Sequence, residues 1–268
     1  MTIPFVKMQG AGNDFVVIDH RSPFLPEPHG PWVARMCDRR RGVGADGVLL
    51  LESDPAHDFA MAYYNADGGP ADFCGNGARC LARLAFDLGL GGRDEIAFRT
   101  AVGAMRARRA GSDIRVDVGP VEPAGPEEEV EAAGERFRGR RVAPGVPHFV
   151  TWRARVDDVP VVEWGRALRR HDRFVPQGAN VDFASRAGAR EIAMRTYERG
   201  VEGETLACGS GAIACALAAA AEGAESPQRV RTRGGDALVV DWERENGRWR
   251  VALSGPTKVS FTGVWEEG

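Results

Sequence analysis

The chain has 268 residues, 43% hydrophobic and 27% charged, enough apolar material for a sizeable core in one large domain or two smaller ones. A net charge of −3 and a pI near 6.0 give no electrostatic case for a nucleic-acid partner or an anionic membrane, and Arg39-Arg40-Arg41 reads as a solvated helix end. Five cysteines in so long a chain exclude a disulfide scaffold, and Met1-Thr2-Ile3-Pro4-Phe5 lacks the charged-then-apolar pattern of a secretory signal, so the expected location is cytoplasmic.

Residues 3–9 and 15–19 predict two short strands around the turn Gly10-Ala11-Gly12-Asn13-Asp14. Pro31 at a first-turn position, followed by Trp32, Val33 and Met36, predicts a helix to about Arg41. Strands follow at 48–51 and 59–64, then a helix from Gly77 to Leu88 closed by Gly89. Arg79, Arg83 and Asp87 recur four residues apart and so share one polar stripe of that helix. Stretches 95–100, 102–109 and 113–118 look like strands. Pro120 to Glu135, rich in Pro, Glu, Gly and Ala, predicts a crossover between two halves.

The second half repeats the order: a strand near 148–153, a helix near 161–170, strands at 180–184 and 191–197, a helix from Gly209 to Glu222, then strands to about 254. Ala212 to Ala221 is apolar on every side but too short to span a bilayer. Such a helix must be enclosed, and its small side chains allow close wrapping by sheet. The expected fold is therefore α/β (α+β): two pseudo-symmetric domains, each a curved, mostly antiparallel sheet or barrel around one central helix. The expected domains are 1–119 with Cys74 and 120–256 with Cys208; the C-terminal strand within 257–268 is a candidate to return to the first.

Symmetry is visible in the residues themselves. A step of half the chain carries Cys74-Gly75-Asn76-Gly77-Ala78 onto Cys208-Gly209-Ser210-Gly211-Ala212, Phe15-Val16 onto Phe149-Val150, and Gly44-Ala45-Asp46 onto Gly178-Ala179-Asn180. One residue less carries Met61 onto Met194 and Tyr64 onto Tyr197. Agreement at one period in four separated places marks a duplicated unit.

A Gly-rich turn opening an apolar run starts a helix, whose first N–H groups lack partners and favour an anion. A cysteine there feels the positive end of the helix dipole, which draws its pKa from about 8.5 toward the thiolate range. Two such thiols facing one substrate could remove a proton on one side and deliver one on the other, the chemistry of a racemase or epimerase. Only Lys7 and Lys258 are lysines among 35 basic residues, and neither context suits a Schiff base with a pyridoxal cofactor. Cys37, Cys80 and Cys215 fit a buried structural role. There is no Cys-x-x-Cys, and the histidines at 20, 29, 57, 148 and 171 lack ligand spacing, so no metal is expected.

Lys7-Met8-Gln9-Gly10-Ala11-Gly12-Asn13-Asp14-Phe15, Asn65-Ala66-Asp67-Gly68, Cys74 through Cys80, Tyr197-Glu198-Arg199-Gly200 and Glu204 through Ala212 together resemble diaminopimelate epimerase over nearly the whole chain. The resemblance implies a cofactor-independent enzyme, usually a homodimer, that inverts one centre of diaminopimelate between the LL and meso forms. It implies Cys74 and Cys208 as the acid–base pair, with His148 and Glu198 tuning the thiols. Asn13, Asn65, Gly75, Asn76, Asn180, Glu198, Arg199, Gly209 and Ser210 then form the substrate-binding set. An Arg suits a carboxylate through its two-pronged geometry.

Two positions depart from the family pattern: Gly47 where many members carry Gln, and Val146 where many carry Asn. Both bear on substrate breadth. The competing expectations are a racemase or isomerase of the same architecture acting on another small acid such as histidine, a redox switch using Cys74 and Cys208 as a reversible disulfide, and a non-catalytic binding module. The paired cysteines argue against the last. Glu198 and Arg199 with Asn13, Asn65 and Asn180, which suit a second amino-acid head group, argue for diaminopimelate.

Overall fold

A computed structural model describes residues 2–92 and 94–266. The chain divides into two compact units, Met1–Asp117 with Ser254–Gly268, and Val118–Leu253.

In the first unit, β1 (Thr2–Gly10) and β2 (Asn13–Asp19) form a hairpin whose turn places Ala11 and Gly12 at positive φ. Helix α1 (Gly30–Cys37) leads to β3 (Gly47–Glu52), parallel to β2, and β4 (Phe59–Asn65), antiparallel to β3. Helix α2 (Gly75–Asp87) precedes β5 (Glu95–Thr100), which is parallel to β4. Strands β6 (Gly103–Ala110) and β7 (Asp113–Val121) continue antiparallel.

Strands β2 and β3 are apolar without alternation because both faces are covered. Phe15, Val17, Leu49 and Leu51 share a core with α2, whereas Val16, Ile18, Val48 and Leu50 pack with Trp32, Val33 and Met36 of α1. Each such side chain, fully buried, contributes roughly 1.5–3 kcal/mol. The helix carrying Cys74 is thereby fixed by the sheet that wraps it.

The second unit contains β8 (Glu127–Ala132), β9 (Glu135–Val142), β10 (His148–Trp152), α3 (Val161–Arg169), β11 (Asn180–Gly188), β12 (Glu191–Glu198) and β13 (Gly203–Thr205). Helix α4 (Gly209–Ala221), β14 (Gln228–Arg231), β15 (Ala237–Glu245) and β16 (Arg248–Gly255) follow. From β9 through β10, β11, β12 and β14 to β15 the pairings run antiparallel, parallel, antiparallel, parallel, antiparallel. That is the series from β1 to β6. Phe15 lies opposite Gly47 and Phe149 opposite Val181, so the duplicated residues occupy matched registers. The last strand, β17 (Lys258–Glu266), pairs antiparallel with β1, as β8 pairs with β9.

Three expectations are corrected. The stretch 120–135 is no bare crossover, because it holds the end of β7, all of β8 and the start of β9. Its buried side is limited to residues such as Val130, paired with Phe137, while Glu129 and Glu131 reach Arg138 and Arg136 across the strands. The helix from Pro31 stops at Cys37, since the Asp38 carboxylate accepts from the N–H groups of Arg40 and Arg41 and turns the chain. Arg39 is consequently not a solvated helix end but pairs with Asp14 and Asp46. Finally, α2 begins at Gly75, and Arg79 leaves the polar stripe: it is fully buried.

Candidate active site

Cys74 and Cys208 occupy the same place in their units. Each is the extended residue before a 13-residue helix, and each sulfur accepts from the backbone N–H three residues on, Gly77 at 3.5 Å and Gly211 at 3.4 Å. The thiols thus replace the hydroxyl or carboxylate of an ordinary N-cap. A thiolate at either point would meet unpaired N–H groups and the positive helix end.

Around Cys74 the polar groups are amides and fixed charges. The Cys74 thiol donates to Asn13 Oδ1 at 3.6 Å, and Asn76 Nδ2 donates to the same oxygen at 3.2 Å. Asn13 Nδ2 donates to Asp46 Oδ2 at 2.6 Å; Arg79 donates to Asn76 Oδ1 at 2.8 Å and to the Gly75 carbonyl at 3.3 Å. Asp14 accepts from Lys7 at 2.6 Å and from Arg39 at 2.7 Å, and Lys7 also donates to the Gly44 carbonyl. Burial alone would raise the Asp14 pKa, but the bonds from Arg39 and Lys7 outweigh it and hold the carboxyl at about 2. Asn65 ends β4 opposite Gly47 and is exposed.

Around Cys208 the set is different. The sulfur is buried and lies 3.4 Å from Ser210 Oγ, which lies 2.9 Å from His148 Nε2. His148 Nδ1 is 2.6 Å from Asp182 Oδ2, and Thr196 Oγ1 donates to Asp182 Oδ1 at 2.7 Å. Asn180 Nδ2 is 3.2 Å from His148 Nε2, while Asn180 Oδ1 accepts from the Arg199 backbone N–H at 2.7 Å. The Arg199 guanidinium donates to the Gln177 carbonyl at 3.4 Å. Burial, then the charges of Glu198 and Asp182, push the Cys208 thiol well above its ordinary pKa, against the bonds from Ser210 and Gly211. Cys208 is accordingly a thiol at neutral pH.

The sequence-derived residues therefore form two groups: Asn13, Cys74, Gly75 and Asn76 in the first unit, and His148, Asn180, Glu198, Arg199, Cys208, Gly209 and Ser210 in the second. Cys37 and Cys80 are pushed up to about 12, and Cys215 well above its ordinary value, chiefly by burial, which suits their structural role. Sequence reasoning missed Asp182, Asp46 and Arg79. A signal for Asp182 existed: a lone acid in the apolar strand Val181-Asp182-Phe183-Ala184 is costly to bury unless it is bonded.

A family model described as diaminopimelate epimerase matches residues 5–123 and again 141–259. The diaminopimelate epimerase of Aquifex aeolicus is 41% identical, with 98% of each chain covered. That of Hydrogenobaculum is 37% identical, with 96% of each covered. Among solved structures, a phenazine biosynthesis protein of the PhzF family from Bacillus anthracis superposes with a TM-score of 0.76 at 12% identity, covering 100% of both chains.

Proposed function

The chain belongs to the diaminopimelate epimerase family, and from that premise we propose that it interconverts LL- and meso-diaminopimelate with Cys74 and Cys208 as the acid–base pair. The observation that carries this reading is the matched pair of sulfurs, each capping a helix N-terminus. One thiolate takes the α-proton, the C–H electrons pass into the substrate carboxylate, and the other thiol returns a proton to the opposite face. The N–H groups at Gly75-Asn76 and Gly209-Ser210 hold that carboxylate and favour the charge it gains, so the helix dipoles supply what a cofactor otherwise would.

Glu198 receives a substrate ammonium, and Arg199, Asn65 and Asn180 hold the distal head group. The enzyme acts in the cytoplasm without cofactor, as a homodimer, supplying lysine and peptidoglycan precursors.

Incubation of LL-diaminopimelate with purified protein in deuterium oxide tests the reading. Deuterium at one α-carbon and formation of the meso isomer, with no added cofactor, are expected. A requirement for pyridoxal phosphate or a metal would overturn it, and equal turnover of L-histidine or L-lysine would reassign the substrate.

A further inference from the structure

Beside Cys74, a short chain of two amides ends at one side in a group that can only donate and at the other in one that can only accept. A guanidinium has no acceptor, so the Asn76 atom 2.8 Å from Arg79 Nη2 is Oδ1. The other atom of that amide is then its nitrogen, which donates to Asn13 Oδ1 at 3.2 Å. This turns Asn13 Nδ2 toward Asp46, whose carboxylate accepts from it at 2.6 Å. The order imposed from Arg79 is the order Asp46 requires. Neither amide can turn over without setting like groups against each other at both of its contacts. Arg39 and the Asp14 backbone N–H hold the Asp46 carboxylate in turn.

Arg79 is fully buried, yet the first turns of such a helix can be packed without a charge, since the matched residue of α4 is Ile213. Gly10 admits the junction: a Cβ there would lie 3.1 Å from the Asn76 carbonyl oxygen and 3.6 Å from Arg79 Nη2. The turn that carries Asn13 can therefore sit against the start of α2. We propose that Arg79 and Asp46 are positioning residues for substrate binding: they fix the polarity of the Asn76–Asn13 pair, so that the amide oxygens are engaged within the protein and the start of α2 offers a substrate carboxylate N–H groups. Arg79 also bonds the Gly75 carbonyl, a further acceptor drawn away from the anion. In α4 the residue matched to Asn76 is Ser210, whose hydroxyl rotates to donate without a fixed neighbour.

This role rests on the proposed function, and an arginine that only braces the fold would show the same distances. The polarity is read without substrate. In protein labelled with nitrogen-15 and carbon-13, a coupling through the hydrogen bond should join Asn76 Nδ2 to Asn13 Cγ. The reverse coupling, from Asn13 Nδ2 to Asn76 Cγ, would overturn the assignment whether or not any variant folds. Asp46→Ala removes the exposed terminal acceptor and should raise KM for LL-diaminopimelate at least about threefold while the melting temperature barely moves. Arg79→Gln, whose amide can face either way, should lower kcat/KM roughly 10–100-fold, mainly through KM. Arg79→Lys, which still can only donate, should recover most of that loss. Wild-type KM in Asp46→Ala, or equal losses in the two Arg79 variants, would refute the role. No turnover by the wild type would overturn the epimerase reading and the role with it, whereas normal turnover with an unmoved KM in the variants overturns the role by itself.

Discussion

Cys74 and Cys208 cap helices of equal length at matched points of a duplicated fold, yet their surroundings have diverged in opposite electrical senses. The position equivalent to Asn76 is Ser210, that of Asp46 is Asn180, that of Asp14 is His148, and that of the buried Arg79 is Ile213. One half surrounds its sulfur with two amides pinned by a guanidinium and a carboxylate. The other buries its sulfur beside a hydroxyl, an imidazole and two acids. A symmetric scaffold places the two thiols at equivalent helix starts, and asymmetric neighbours give them different proton partners. An epimerase needs one acid and one base in each turnover, and unequal surroundings bias which of two sulfurs holds the proton.

The sharpest way to break the comparison is to remove each sulfur in turn. Cys74→Ala and Cys208→Ala should each lower turnover by about 10²–10⁴-fold or more in both directions, since either direction needs an acid and a base. Cys37→Ala and Cys215→Ala should alter stability alone. Steady-state rates from both isomers decide it, and near-normal turnover by either active-site variant would end the two-cysteine mechanism.

Next in size is the cluster of Lys7, Asp14, Arg39 and Asp46 in the first half. Asp14→Asn leaves the buried Lys7 ammonium without its carboxylate and should cost about 1.5–3 kcal/mol, the range for a hydrogen bond to a charged group. The folded pKa of about 2 lies below the unfolded value near 3.9, so the carboxylate stabilises the fold above about pH 4, and that contribution fades as pH falls through 2. Wild type and variant should therefore differ at pH 7 and converge toward pH 2. Hydrogen exchange of the β1–β2 amides reports this locally, and a gap that widens in acid would contradict the pairing.

The sequence exposed the symmetric part of this molecule better than the asymmetric part. The repeated Cys-Gly-x-Gly, the wholly apolar α4 and the strands β2 and β3 were legible because periodicity and glycine chemistry act locally. Strand β8 was hidden because four of its six residues are glutamates whose partners, the arginines of β9, are visible only after pairing. Arg79 looked like a member of a polar stripe, and only the sheet around α2 makes it a buried cation. His148 could be matched to a family role, but the carboxylate it meets, Asp182, lies on a neighbouring parallel strand, where no local pattern links the two.

The second glycine of each Cys-Gly-x-Gly sharpens the contrast at smaller cost. A Cβ on Gly211 would strike the Asp182 carboxylate at 2.5 Å, whereas one on Gly77 would meet the end of the Leu49 side chain at 3.1 Å. Gly211→Ala should destabilise by about 1–3 kcal/mol through overpacking and disturb His148 as well. In Gly77→Ala, a small shift of Leu49 and the better helix propensity of alanine should leave stability within about 1 kcal/mol of wild type. Equal losses at both positions, measured by thermal unfolding, would show that the carboxylate is not the constraint.

The smallest expected effect lies at Val146, where the second half departs from its family. Val146 is partly buried and precedes Pro147, whose carbonyl accepts from the Asn180 N–H at 2.9 Å, so the segment is tied to the Cys208 group through its backbone. Val146→Asn can therefore change what the side chain offers without moving that backbone. One added hydrogen bond to the distal head group is worth about 0.5–1.5 kcal/mol net, a change in KM of at most roughly tenfold. Arg199→Met, which would leave a substrate carboxylate without its cation, should weaken binding much further. If Val146→Asn instead changes which amino acid is turned over fastest among LL-diaminopimelate, L-lysine and L-histidine, this position sets substrate choice, and Arg199 is not the distal clamp.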